Sequence, residues 1–420
     1  MESRYDDRRS EIKTWHAMKK EILNIKKDFP IFKNKPSLIY FDNASTTQKP
    51  KCMINKVSEF YTMYNANVHR GTYKLAEDAT QQLEQSRKII SKFINSKIHE
   101  IIFTKSTTES INAIAYTMGM QLQKNDEIII SEMEHHSNIL PWQMLLKQKK
   151  IKIKYIPLNK NQELDILKLK QLISKKTKLI SITHMSNVLG IINPIEKIIK
   201  IAKENNIITL IDAAQSIAHL KIDTKKIDCD ILVFSGHKIL GPTGVGVLYI
   251  KEKLMNSLDP FLRGGHMISE VKEYESTWNM NPWKFEAGTL NIAQIIGLSS
   301  SIDYINNIGI TNILNYEMYL LSYLLSQLRD IKDIIIYGHN NKQSGPVVTF
   351  NIKGCHPFDI SKLLDTYNIA IRGGHHCAQI LMKKLKIQYS NRISLYAYNT
   401  IDEIDFFIIA LKKIIKIIKK

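Results

Sequence analysis

Hydrophobic and polar positions fall into two patterns that alternate along the chain. Short β-branched runs recur as "EIIFT" at 100–104, "DEIIIS" at 126–131, "IKIKYIPL" at 151–158, "TKLISITH" at 177–184, "IITLIDA" at 207–213, "DILVFSG" at 230–236 and "VGVLYI" at 245–250. Each reads as a strand. Between several of them lie amphipathic segments, such as 79–95 and 195–205, whose apolar residues recur at helical spacing. That alternation predicts an α/β unit with a mostly parallel sheet and helices on both faces. Sheets of this kind bind ligands beyond the carboxyl ends of their strands. The residues that follow each run therefore carry the functional reading.

The texture changes near residue 305. A long helix over 312–329 leads to "VVTFNI", a helix over 358–367, "IAIRGG", "RISLYAY" and a final amphipathic helix. We expect a large domain over 28–305 and a smaller α+β domain over 306–420. Residues 1–27 read as an extension with no assigned role. No internal repeat is visible.

Charge and cysteine content narrow the class. Lys+Arg number 59 against 40 Asp+Glu, a formal net charge of +19. The lysines are scattered among isoleucine and asparagine, without basic–aromatic interleaving or zinc-finger spacing, so no specific nucleic-acid partner is expected. The four cysteines, Cys52, Cys229, Cys355 and Cys377, form no CxxC pair. So few in a long chain fit a reducing compartment, and the expectation is a cytoplasmic protein. The N-terminus lacks the apolar stretch of a secretory signal, and no apolar run reaches membrane-spanning length. The basic tail "FFIIALKKIIKIIKK" reads as a helix packing its isoleucine face on the domain, with no membrane contact.

The strand ends carry the candidate chemistry. After "EIIFT" comes Lys105-Ser106-Thr107-Thr108-Glu109, opening a helix. Hydroxyls and free N–H groups there serve either as an N-cap or as an anion site suited to a phosphate. After "DEIIIS", "EMEHHSN" places His135 and His136 where an imidazole stacks on a ring, ligates a metal or simply sits in a loop. After "IITLI" comes Asp212, a carboxylate at a buried strand end, which is costly unless it meets a cation. After "DILVF" comes "SGHK". Lys238 there is hemmed by glycines, and burial or positive neighbours would lower its pKa enough for covalent carbonyl chemistry. Together, in this order, these residues describe a site for pyridoxal 5′-phosphate (PLP).

The motifs "HRGTYKLA", "TKSTTESIN", "SEMEHHSNILPW", "THMSNVLG", "LIDAAQS", "VFSGHKILGPTGVG", "FEAGTLN", "IRGGHHCA" and "RISLYAYNT" resemble those of the cysteine desulfurases, fold type I PLP enzymes. "RGGHHC", without a serine-rich loop, resembles the second group, the SufS type. The resemblance implies a large domain with a mostly parallel sheet and a smaller α+β C-terminal domain. It implies that Lys238 holds PLP, Asp212 pairs with the ring nitrogen, Gln215 with the phenolic oxygen, and His135 stacks on the ring. Thr108, Ser235 and His237 are implied as phosphate ligands, with Thr289 reaching the phosphate from the other subunit of a homodimer. Asn187 and Arg392 are implied to grip the substrate carboxylate, with Arg372 beside them. Arginine suits this because its planar fork holds both oxygens.

Cys377 is the implied nucleophile. It sits on a small-domain loop beside Arg372, His375 and His376, and cationic neighbours favour the thiolate. A zinc site is the rival reading of His-His-Cys, but three consecutive residues rarely converge on one ion. The implied reaction converts L-cysteine to L-alanine and leaves sulfur on Cys377 as a persulfide for iron–sulfur cluster assembly. The implied sulfur acceptor is of the SufE or SufU type, and selenocysteine lyase is the alternative activity. Two departures stand out. The family's "GGGxMI" reads "RGGHMI" here, with Arg263 and His266, and the proline after the nucleophile is replaced by Ile380.

Overall fold

A computed structural model describes residues 24–339 and 344–419. The short strand β1 (Ile39–Tyr40) precedes seven strands of one sheet: β2 (Ile101–Thr104), β3 (Glu127–Ser131), β4 (Lys152–Ile156), β5 (Thr177–Thr183), β6 (Ile208–Asp212), β7 (Ile231–Ser235) and β8 (Gly246–Ile250). Their order is β2-β8-β7-β6-β5-β3-β4. The pairs from β7 through β4 are parallel, and β8 runs antiparallel to both β2 and β7. Thr104, Ser131, Thr183, Asp212 and Ser235 consequently all end strands at the same sheet edge. β2, β3, β7 and β8 are buried throughout. That follows from runs with no polar face, which need helices on both sides.

The helices bury the stripes their sequences mark. Helix Ile195–Glu204 buries Ile195, Ile198, Ile199, Ile201 and Ala202, one face at spacings of three and four. Helix Thr107–Gln121 starts at Ser106, whose Oγ accepts from the Glu109 N–H at 3.3 Å. Gly246 permits this start. A Cβ there would lie 2.6 Å from the Ser106 Cα, so only glycine lets β8 run against the turn after β2.

A two-stranded hairpin, β9 (Ile268–Val271) with β10 (Ser276–Trp278), follows the large sheet. The C-terminal part forms an antiparallel sheet in the order β11-β12-β15-β14, from β11 (Ile334–Tyr337), β12 (Val347–Ile352), β14 (Arg372–Gly374) and β15 (Ser390–Ser394). The run "IAIRGG" splits in two. Its first half, β13 (Ile369–Ala370), pairs parallel with β1, and its second half, β14, pairs antiparallel with β15. The segment around residue 40 is therefore stitched to the C-terminal sheet. Ile25 is buried and Lys26 forms an ion pair with Glu403 on helix Ile401–Ile418, so part of the stretch given no role from sequence packs on the body.

The stretch 285–291 is anchored from below. Glu286, fully buried, accepts from Arg87 Nη1 at 2.7 Å and Nη2 at 2.9 Å, and from the Phe103 N–H at 2.7 Å. Both "RGGHMI" departures find ring partners. The Arg263 guanidinium lies 5.4 Å from the Trp278 ring centre, and His266 stacks on His69 at 4.6 Å.

Candidate active site

The shared sheet edge holds a cavity of about 200 Å³. Of the residues singled out from sequence, Thr108, His135, Asn187, Asp212, Gln215, Ser235, His237, Lys238, Arg372 and Arg392 line it. They arrive on several segments: Asp212 and Gln215 end or follow β6, Ser235, His237 and Lys238 end or follow β7, and Arg372 and Arg392 come from β14 and β15 of the C-terminal sheet.

One end of the cavity is rich in donors and hydroxyls. The Thr107 N–H donates to Ser235 Oγ at 2.8 Å, and the two side-chain hydroxyls are also 2.8 Å apart. Thr108 Oγ1 and Ser137 Oγ share a hydrogen bond of 2.8 Å. These groups surround the start of helix Thr107–Gln121, where the helix dipole favours an anion.

The middle is built from Asp212, Lys238 and His135. Asp212 Oδ1 accepts from the Ala214 N–H at 2.9 Å, and burial raises its pKa. Among the described residues no salt bridge reaches it. Burial, above all, lowers Lys238 to about 8; Asp212 opposes the shift, while Arg392 and Arg372 add to it. Burial, then Lys238 and His136, bring His135 down to about 3. His135 is thus neutral, and its Nδ1 accepts from the Ser137 N–H at 3.1 Å, which leaves its proton on Nε2. Gln215 Nε2 donates to the Ala44 carbonyl at 2.9 Å.

The far end carries two arginines. Arg392 is fully buried. Its Nη1 donates to the Asn187 carbonyl at 3.1 Å, and its Nη2 to Asp42 Oδ1 and Ser45 Oγ at 2.8 Å each. Its Nε is buried with no acceptor among the described residues. Arg372 Nη1 donates to Ser45 Oγ at 2.9 Å, and Arg372 Nη2 lies 3.6 Å from Cys377 Sγ. Cys377 is partly exposed at this end, on a loop where both His376 and Cys377 adopt left-handed backbone (φ 52° and 55°). Among the described residues no cluster of His, Cys, Asp and Glu suits a metal ion.

Thr289 stands apart. It is exposed and lines two other depressions, and it does not line the cavity of its own chain. Cys52 is exposed on helix Lys51–Met63, while Cys229 and Cys355 are buried.

The stretch 42–49, "DNASTTQK", was missed from sequence. Asp42 and Ser45 hold the two arginines, and Ala44 holds Gln215. The His237 carbonyl accepts from Thr46 Oγ1, the Thr47 N–H and Thr47 Oγ1 at 3.1 Å each, and from Lys49 Nζ at 2.8 Å. Its signal was a cluster of small polar residues directly after the apolar "LIYF". Glu134 was also missed. Fully buried beneath His135, it accepts from the Ser131 hydroxyl, from Asn138 Nδ2 at 2.7 Å and from the Thr183 N–H at 2.9 Å, and burial raises it to about 8.

The family described as aminotransferase class-V matches residues 39–407. A cysteine desulfurase of Wigglesworthia glossinidia brevipalpis is 47% identical over 406 residues, 95% of this chain and 98% of that protein. A probable cysteine desulfurase of Halalkalibacterium halodurans is 45% identical, covering 93% of this chain and 97% of that one. Among solved structures, the apo form of a cysteine desulfurase from Thermococcus onnurineus NA1 superposes with a TM-score of 0.90 at 40% identity, covering 94% of this chain and 98% of that one. The chain therefore belongs to the class-V aminotransferase family and, within it, to the cysteine desulfurases.

Proposed function

We propose that the protein is a PLP-dependent cysteine desulfurase that turns L-cysteine into L-alanine and collects the sulfur on Cys377. One observation carries the reading. A buried lysine, a buried carboxylate with no salt bridge among the described residues, a neutral histidine and two arginines share one cavity, and the Cys377 sulfur lies 3.6 Å from one of those arginines.

The residues present fit the cofactor. Asp212 is a buried acid that needs a cation, and a protonated ring nitrogen supplies one. The hydroxyls of Thr108 and Ser235 and the helix start suit a phosphate. His135, flat and neutral, suits a ring face, and Lys238 is the amine that would hold the aldehyde. When bound, PLP supplies an electron sink for the carbon frame of an amino acid.

The chain's own groups divide the remaining work. Arg392, whose buried Nε has no acceptor among the described residues, and Asn187 are proposed to orient the substrate carboxylate. Lys238, poised near neutrality, is suited to move the proton at the substrate α-carbon. The Cys377 sulfur attacks the substrate sulfur: an S–S bond forms and the C–S bond breaks. The electron pair stays with the carbon skeleton, which gains a proton and leaves as alanine. In balance, L-cysteine and the Cys377 thiol become L-alanine and a Cys377 persulfide.

The homodimer, with Thr289 of each chain facing the other's cavity, is part of this reading. So are the SufS-type grouping, a SufE- or SufU-type acceptor, a role in iron–sulfur cluster assembly and a cytoplasmic setting. Among the described residues no helix is long and apolar enough to cross a membrane. The deciding experiment incubates the PLP-loaded protein with L-cysteine and measures alanine together with the mass of the Cys377 peptide. Alanine formation with an adduct of about +32 Da, one sulfur, supports the reading. Alanine formation with the adduct on another peptide overturns the role of Cys377.

A further inference from the structure

The residues after Cys377 pack on the large sheet, with Ala378, Leu381 and Met382 buried in one cluster with Ile129, Met133 and Ile156, while the loop itself is bonded to that side through His136 and Asn187. The His136 N–H donates to the Cys377 carbonyl at 2.8 Å. The Gln379 N–H donates to His136 Nε2 at 3.2 Å. Asn187 Nδ2 donates to the His376 carbonyl at 2.8 Å. The His136 and His375 rings lie 5.7 Å apart. One residue of the turn after β3 thus grips both ends of the segment 377–379, once through its main chain and once through its ring.

This grip has something to hold against. His376 and Cys377 are consecutive non-glycine residues in the left-handed region, a conformation that L-residues leave unless neighbours fix it. Within the loop, the Cys377 N–H donates to His375 Nδ1 at 3.2 Å and the Ala378 N–H to the His375 carbonyl at 2.9 Å. Those bonds lie within the turn, whereas His136 and Asn187 tie it by hydrogen bonds to the segments after β3 and β5 of the large sheet, and Asn187 also lines the cavity.

We propose that His136 is a positioning residue for Cys377: by accepting from the Gln379 N–H it holds the nucleophile's loop over the cavity. It also joins that loop to the adjacent His135, so the residue facing the cofactor position and the residue placing the sulfur are neighbours in the chain. The consequence for sulfur transfer rests on the desulfurase reading above; the grip on the loop does not. To accept that bond, His136 Nε2 must carry no proton. Burial and the neighbouring His375 lower its pKa, in the direction that keeps it neutral.

The test compares His136→Ala with His136→Gln, whose side-chain oxygen can accept the same N–H. Both are made in a Cys52→Ser background, which removes the exposed bystander thiol. The first readout is the rate of iodoacetamide alkylation at Cys377 in PLP-loaded protein without substrate, read by peptide mass. The second is alanine formed from cysteine, with PLP content and melting temperature measured alongside. His136→Ala is expected to alkylate about two- to tenfold faster, the factor one hydrogen bond controls, and His136→Gln to return toward wild type. PLP content should be unchanged, and alanine formation should fall in kcat rather than rise in KM. Wild-type alkylation in His136→Ala overturns the proposal, as does a His136→Gln protein no better than the alanine variant. If His136→Ala does not fold, His136→Gln against His136→Leu decides in the same way. A shifted alkylation rate in a protein that makes no alanine at all would sink the desulfurase reading and leave the grip standing.

Discussion

The Arg372 Nη2 atom lies 3.6 Å from the Cys377 sulfur, while Arg372 Nη1 is bonded to Ser45. A guanidinium fixed at one end by the segment after β1 thus presents its other end to the thiol. This contact joins the C-terminal sheet, the N-terminal segment and the cavity at one point.

Removing the thiol should separate cofactor chemistry from sulfur capture. Cys377→Ala leaves Lys238, Asp212 and His135 in place, so it should bind PLP and change its absorbance on adding cysteine. Alanine formation from cysteine should fall by several orders of magnitude, the usual cost of losing a committed nucleophile. Selenocysteine turnover should survive far better, because selenium leaves carbon more readily. Alanine measured from both substrates checks this; cysteine turnover within a few-fold of wild type would refute the role of Cys377.

Lys238 should give the cofactor-free protein a distinctive pH response. Its folded-state pKa is lowered from 10.5 to about 8. The unfolded chain therefore holds more protons between those values, and stability should rise with pH across that window. Equivalently, that stability is present above about 10.5 and is lost as pH falls through about 8. Lys238→Met should accordingly stabilise the PLP-free protein at pH 7, by on the order of 3 kcal/mol, and much less near pH 10. Denaturant titrations at the two values test it. A difference that does not depend on pH would mean that the amine is solvated.

Borohydride should trap PLP on one peptide. Among the described residues Lys238 is the one lysine lining the cavity, so reduction of the loaded protein should place the label on the peptide that contains it. A label on the peptide holding Lys49, which burial lowers to about 7, would reassign the amine.

The Arg87–Glu286 pair should carry much of the rigidity of the loop that ends in Thr289. Glu286→Leu leaves the buried Arg87 guanidinium with Glu84 as its one remaining carboxylate among the described residues, bonded to Nε at 3.0 Å, and removing one partner of such a buried network should cost up to about 3 kcal/mol. A melting curve checks the loss of stability. Adding Arg87→Met to Glu286→Leu should recover part of it, because the stranded charge is gone. Failure of the double variant to recover any stability would point to the lost Phe103 N–H bond instead.

Thr289 should act in the other subunit's site. Mixing Lys238→Ala chains with Thr289→Ala chains should form hybrids with one intact site each, recovering turnover at limiting PLP that neither parent shows. Sedimentation should find a dimer at micromolar concentration. A fully active monomer would exclude the shared site.

Much of the fold was legible in the chain because buried strands and amphipathic helices impose their own periods. The seven runs after residue 100 became the seven strands of the large sheet, and Asp212, Ser235 and Lys238 lie where strand-end logic puts them. The C-terminal run "IAIRGG" was less legible, because its two halves pair with different partners, and pairing is not a local property.

Sequence by itself determined the strands, the helix faces and the residue types at each strand end, since these follow from side-chain pattern and backbone geometry within a few residues. Tertiary structure alone decided which distant segments meet. It brought Asp42 and Ser45 across some 350 positions to Arg392, and put His136 under the Cys377 loop. It also left Thr289 facing outward. The physical reason is that a buried guanidinium or a strained turn requires partners, while the chain is indifferent to how far along its length they lie.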